Sequence, residues 1–302
     1  MAKFDTAELL EIIQRRGFIP AAQSTFSLDN MLKAADEELN SEISPLLLSI
    51  RGDFFTTFQD TPVTALQDAY RIPGRALGAA CRDVQYIDSS GAVVTLTEIK
   101  ESELPTLGAN TNLTSSPTAF YIKDKQVVLY PKPSQSTGTL RLWIQMRPNR
   151  PVQVINVGVI TAVNVGTQQL TISATPGSFT TGQQYDLIRA TPQFEWEGTD
   201  LAITTLAANV LTFTNPLPSG IFLPAVGDYV CLAGETAVIQ IPPELHVCVA
   251  LRAAASMLKG MSKTAAAADL INEAKGKETK ALILLTPRVK GRPQKLNNRQ
   301  WL

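Results

Sequence analysis

Ile160-Thr161-Ala162-Val163, followed by Leu170-Thr171-Ile172 and Tyr185, is echoed downstream by Ile203-Thr204-Thr205-Leu206, Leu211-Thr212-Phe213 and Tyr229, at an offset that stays between 41 and 44 residues. From Val152 to about Ala233 the composition turns to Val, Ile, Thr and Gly with few charges, and helical periodicity disappears. Short β-branched runs repeated once predict two similar β-meanders that pair into one small barrel or sandwich. Pro151 and Gly234 are natural boundaries for such a module.

Outward from this module the periodicity changes. Leu140, Leu142, Ile144 and Met146 alternate with Arg141, Trp143, Gln145 and Arg147, the period-two signature of a strand with one buried face. Residues Ala119 to Ile122 and Gln126 to Tyr130, separated by Lys123, Asp124 and Lys125, predict a β-hairpin, which Pro131 and Pro133 then stop. At the N-terminal side, residues 5 to 16 carry Leu9, Leu10, Ile12 and Ile13 among charges, with Asp5 or Thr6 as cap and Gly17 as stop. A longer helix starts at Ser27, with Leu28, Met31, Leu32, Ala35, Leu39 and Ile43 on one stripe, and is expected to end near Pro45. Its acids Asp36, Glu37, Glu38 and Glu42 read as a solvated face.

Helices return at Pro242-Pro243, with Leu245, Val249, Ala253 and Leu258 near one stripe and Arg252 and Lys259 beyond it, and again over Ala265 to Leu285. Past Pro287 the chain carries Arg288, Lys290, Arg292, Lys295 and Arg299, no acid, and Trp301. Such a segment cannot build a core of its own and is expected to be an extended arm, which is either a solvated tail or an element that docks on another chain or touches phosphates.

The expected fold class is therefore α+β. A helical bundle and a β-hairpin or sheet element span 1–151 and 234–285, an all-β barrel-like module is inserted at 152–233, and a basic arm occupies 286–302.

Composition restricts the function. The 302 residues hold 27 Lys plus Arg and 27 Asp plus Glu, so no global field recruits nucleic acid or an anionic membrane. Cys81, Cys231 and Cys248 are far apart and lack C-x-x-C spacing, which predicts small buried apolar residues and not a disulfide framework or a thiolate metal site. A leading amphipathic helix, with no apolar run of about 20 residues, predicts a soluble chain folded in a reducing compartment. His246 is the only histidine, which removes Ser-His-Asp and multi-histidine metal schemes and leaves it a helix-end or interface residue. Gly276, Lys277 and Thr279 echo a phosphate loop without its upstream glycine or strand, and Gly74 and Gly78 do not form G-x-G-x-x-G. No catalytic residue, metal or cofactor is expected.

Ile72-Pro73-Gly74-Arg75-Ala76-Leu77-Gly78 runs into Arg82-Asp83-Val84-Gln85-Tyr86-Ile87-Asp88 after the two N-terminal helices. With the hairpin Phe120-Tyr121-Ile122 to Val128-Leu129-Tyr130-Pro131, and Ile241-Pro242-Pro243-Glu244-Leu245-His246 opening an Ala-rich helix, this resembles the head-to-tail adaptor (connector) proteins of tailed phages. The resemblance covers residues 5 to 150 and 235 to 285. It implies a structural, non-enzymatic virion protein, assembled in the host cytoplasm and sited in the neck. The partners implied are the portal protein, tail or neck proteins, and further copies in a homo-oligomeric ring, dodecameric in many relatives. Genomic DNA would pass through its channel without sequence-specific binding. The portal-binding residues would be Arg288, Lys290, Arg292, Lys295, Arg299 and Trp301 of the arm. The module at 152–233 departs from compact adaptors. Alternatives are another neck or tail-completion (gatekeeper) ring protein, or a tail component holding carbohydrate on Phe194, Glu195, Trp196 and Glu197.

Overall fold

A computed structural model describes residues 4–19, 26–50, 52–103, 114–190, 196–214, 216–218 and 223–286. The first helix, α1 (Thr6–Gly17), is capped by Asp5, whose carboxylate accepts from the N–H groups of Ala7 and Glu8 at 3.0 Å each. Gly17 is its last residue, and the chain leaves through Phe18 in the left-handed conformation. A Cβ at Gly17 would sit 2.9 Å from Ile19 Cδ1, the end of a flexible side chain that would have to move aside.

Ser27 caps α2 (Leu28–Glu38), which continues through a π turn (Leu39–Ile43) into α3 (Ser44–Ile50). The helix therefore does not end near Pro45. A proline inside a helix lacks an N–H and collides with the carbonyl four residues back, and here the wider π turn precedes it. The Ser44 N–H reaches back five residues to Leu39 O, and Ser44 Oγ donates to the same oxygen at 2.8 Å.

The C-terminal helices are α4 (Pro243–Gly260), with proline in its first turn, and α5 (Thr264–Leu285). Contacts from α1, α2 and α5 surround α4, and Leu245, Cys248, Val249, Ala250, Ala253 and Ala254 are all fully buried. This enclosure corrects the placement of Arg252 beyond the apolar stripe. Arg252 is buried and grips Glu278 of α5 through Nε and Nη2 at 2.5 and 3.0 Å, while Nη1 lies 3.1 Å from Glu42 and 3.6 Å from Glu38. The acids at 38 and 42 are thus partly committed to a buried guanidinium instead of forming only a solvated face.

Two antiparallel-rich sheets lie between these helix pairs in the chain. In the first, the order is Thr56–Pro62, Thr139–Met146, Ala76–Ile87, Val93–Thr95, every neighbour antiparallel. The expected alternation holds along Thr139–Met146: Leu140, Leu142, Ile144 and Met146 are buried, and the residues between them face outward. The second sheet runs Ala69–Arg71, Gln126–Tyr130, Ala119–Lys123, Thr97–Glu98. Its hairpin turns on two residues, Asp124 and Lys125, both at positive φ (50° and 61°), the backbone twist that suits a two-residue connection. Both sheets feed the same core as the helices, through Leu140, Ile144, Phe120 and Leu129.

A closed six-stranded barrel follows, in the order Gly158–Asn164, Gln169–Ile172, Val210–Phe213, Trp196–Ala207, Gln184–Ile188, Tyr229–Leu232. Each copy of the sequence repeat supplies three strands, and the pairing pattern is unchanged when the two copies are exchanged. Leu170, whose repeat counterpart is Leu211, pairs directly with it, so this fully buried pair marks the pseudo-twofold axis. Ile160, Leu170, Tyr185, Leu187, Ile203, Leu211, Phe213 and Val230 fill the barrel. Ile188, Ala190, Tyr229 and Cys231 instead join the core of the body. Arg150–Pro151 pairs in parallel with Glu235–Thr236, so the chain enters and leaves the barrel side by side.

Candidate assembly interface

The arm residues Arg288, Lys290, Arg292, Lys295, Arg299 and Trp301 lie outside the described residues, as do Phe194 and Glu195 and the side chains of Trp196 and Glu197. What is described is the helix leading into the arm. In α5, Ala267, Ala274 and Ala281 are buried against the body, and Glu278 locks onto Arg252. The last turn then presents Ile283 and Leu284, 66% and 61% exposed, while Leu285 packs on the core. Thr286 Oγ1 donates to Leu282 O at 2.7 Å and closes the helix.

A second surface is the outward face of the four-stranded sheet. The register places Phe58 opposite Trp143 and Asp60 opposite Arg141. The two aromatic rings are 5.2 Å apart, the Arg141 guanidinium sits 4.2 Å above the Phe58 ring, and Arg141 binds Asp60 bidentately at 2.8 Å on both oxygens. Hydrogen bonding to Asp60 raises the Arg141 pKa against a partial burial penalty. Trp143 Nε1 donates to Gln85 Oε1 at 3.0 Å. Half-exposed Trp, Phe and Arg side chains held in one geometry match the residue types that dominate protein interfaces. Sequence alternation located Arg141 and Trp143 on the outward face; only the strand register brings Phe58 to them.

The third locus is the junction of body and barrel, where the Ile72-to-Gly78 motif delivers Arg75. Its Nη1 donates to Asp186 Oδ1 at 3.0 Å and Asp200 Oδ1 at 2.9 Å; its Nη2 donates to Asn149 Oδ1 at 2.6 Å and Asp186 Oδ2 at 2.8 Å. Asp186 also accepts from Asn149 Nδ2 and from the N–H groups of Asp200 and Gly234, at 2.7, 3.0 and 3.0 Å. Burial opposes the Arg75 charge, but the hydrogen bonds and charges of Asp186 and Asp200 outweigh it and its pKa is raised. A carboxylate so fully saturated by donors is a structural anchor.

No family model and no curated protein matches this chain.

The histidine and two of the three cysteines, Cys231 and Cys248, are enclosed, while Cys81 is half-buried, short of the burial expected for it. His246 is buried in the first turn of α4, with its ring 4.4 Å from Phe4 and Nε2 2.9 Å from Ile241 O, and burial pushes its pKa down to about 4. Burial pushes the Cys81 and Cys248 thiols up to about 11, and raises Cys231 further. Among the described residues no group of three or more His, Cys, Asp or Glu side chains is arranged to hold a metal ion, and no helix is long and apolar enough to cross a membrane.

Proposed function

We propose that this chain is a subunit of an adaptor ring in the neck of a tailed-phage virion, docked between the portal and the tail. The observation that carries the reading is the end of α5, where exposed Ile283 and Leu284 directly precede the stretch holding Arg288, Lys290, Arg292, Lys295, Arg299 and Trp301. An apolar step followed by five cations, no acid and a terminal Trp suits a docking element for an acceptor with an apolar pocket and acidic lining. The Trp anchors by burial, and the arginines set register through paired hydrogen bonds to carboxylates. The motif at residues 72 to 88, the hairpin and the Pro-Pro entry to α4 support the same family reading. In that reading the copies form a ring, dodecameric as in many adaptors, and the genome passes through without base-specific contacts.

The test is binding of the purified chain to portal rings by sedimentation, with electron microscopy of the complex. Deleting residues 286–302, or Trp301→Ala, should weaken docking about tenfold or more, the scale of a Trp hot spot, and leave circular dichroism unchanged. Unchanged affinity in the deletion removes the arm from the mechanism. A full-length chain that stays unbound at high portal concentration overturns the adaptor reading.

A further inference from the structure

Among the described residues, the first of the two four-stranded sheets ends in two edge strands, Val93–Thr95 and Thr56–Pro62. Proteins blunt exposed edge strands with charges, proline or bulges, because a row of unsatisfied N–H and C=O groups recruits any strand that approaches. Among the described residues, Val93–Thr95 has a neighbour on one side only, carries no charge, and exposes Val93 and Val94 by 55% and 46%. At the opposite edge, Thr56–Pro62 exposes Phe58 by 39%, its one charge, Asp60, is neutralised by Arg141, and its only proline, Pro62, stands at its last position and leaves the middle of the strand free to pair. Along this second edge runs a cleft of about 380 Å³, walled by Thr57, Phe58 and Gln59 on the sheet side and by Thr199, Asp200 and Leu201 of the barrel.

Strand direction adds a further constraint. The sheet has four strands, all antiparallel to their neighbours, so its two edge strands point in opposite directions. A second copy placed beside the first by rotation about an axis along the strands would set its Thr56–Pro62 antiparallel to the first copy's Val93–Thr95. The alternation then continues unbroken across the contact, which an odd number of strands would not allow. Val93 and Phe58 stand on the same outward face, since Val93 pairs with Ile87, Ile87 with Thr139, and Thr139 with Pro62, two positions removed twice from Phe58.

We infer that copies of this chain pair head to tail, the Val93–Thr95 edge of one entering the cleft along the Thr56–Pro62 edge of the next. This deepens the ring reading and rests on it. The contact uses two different patches, so it is heterologous and closes into a ring when the rotation permits. A strand of three residues covers far less area than a standard interface, so free chains associate weakly and the contact matures where copies are held side by side.

The experiment uses the full chain in a Cys81→Ser background carrying both Phe58→Cys and Val93→Cys, oxidised at high concentration alone and after mixing with portal rings. Thr95→Cys in place of Val93→Cys samples the adjacent register on the same face. Head-to-tail pairing gives a ladder of dimer, trimer and higher species from a double variant, whereas Val93→Cys alone gives monomer. Val93→Lys with Val94→Lys, added to a double variant at the neighbouring Thr95→Cys, should abolish the ladder while the thermal melt stays unchanged. Dimers from Val93→Cys alone would overturn the proposal in favour of like-edge pairing. So would portal-bound copies that give no ladder in either register, although the adaptor reading would survive that result. A ladder from chains that never bind portal leaves edge pairing standing and removes the adaptor reading.

Discussion

Arg75 and Asp186, 111 positions apart in sequence, meet in a two-pronged ion pair at 3.0 and 2.8 Å across the boundary between sheet and barrel. The Asp186 side chain has no solvent exposure, whereas that of Arg75 keeps 22%. Removing one member of a buried pair leaves the other charge uncompensated, which costs about 3–5 kcal/mol. Arg75→Ala should fall at the lower end, because Asn149 and two backbone N–H groups still serve Asp186. Denaturant titration measures this, and Asp200→Asn, at the half-exposed end of the same network, should cost under about 1 kcal/mol.

Arg252 offers the corresponding experiment inside the helices. Arg252→Ala should destabilise by about 3–5 kcal/mol, since Glu278 is then buried without a partner. Arg252→Lys should rescue little, because a single ammonium cannot reproduce the two-pronged grip on Glu278 while also facing Glu42. The double replacement Arg252→Met with Glu278→Leu should recover most of the loss. A double variant as unstable as Arg252→Ala would show that the pair is favourable in itself.

His246 sets an acid limit. Its pKa is depressed in the folded chain from 6.5 to about 4, so the folded state excludes a proton that the unfolded state binds. Its contribution is present above pH 6.5 and is lost as pH falls towards 4. At about 1.4 kcal/mol per pKa unit, the loss across that window is about 3 kcal/mol. Denaturation midpoints measured from pH 7 to 4 should fall with a one-proton slope that His246→Gln flattens.

In the barrel, Leu170→Ala or Leu211→Ala should each cost about 2–5 kcal/mol. Because the two side chains face each other at full burial, the double variant should deviate from additivity by about 0.5 kcal/mol or more. Additive losses would mean that the two cavities relax separately.

Much of the fold was readable from local periodicity. The alternation from Leu140 to Met146, the hairpin turning at Asp124 and Lys125, and the repeat that pairs Leu170 with Leu211 each depend on neighbours or on self-similarity, which a single sequence records. Pro45 misled because the hydrogen-bond shift that accommodates it begins at Leu39 and leaves no compositional mark. Arg252 misled because one helical stripe looked apolar while three other helices covered the remaining faces. For the candidate interface, the basic arm stood out by charge alone. The open edges at Val93 and Phe58 did not, since which strand lies outermost is decided by pairing order and not by any residue within the strand.

The exchange symmetry of the barrel has a consequence for how it is mounted. Half of it, three strands long, would leave its hairpin and its third strand unmatched, and two separate halves would have to meet to close the ring of hydrogen bonds. Tethering both halves in one polypeptide removes the requirement that they be identical. Asp186 alternates with the barrel-filling Tyr185 and Leu187 and so faces outward to Arg75, whereas the outward residues of the other half's last strand are Tyr229 and Cys231, which join the core of the body. These two strands pair with each other and form one face towards the body, and because the halves differ, one strand carries a charged anchor and the other an apolar seat, which fixes the barrel on the body in one orientation.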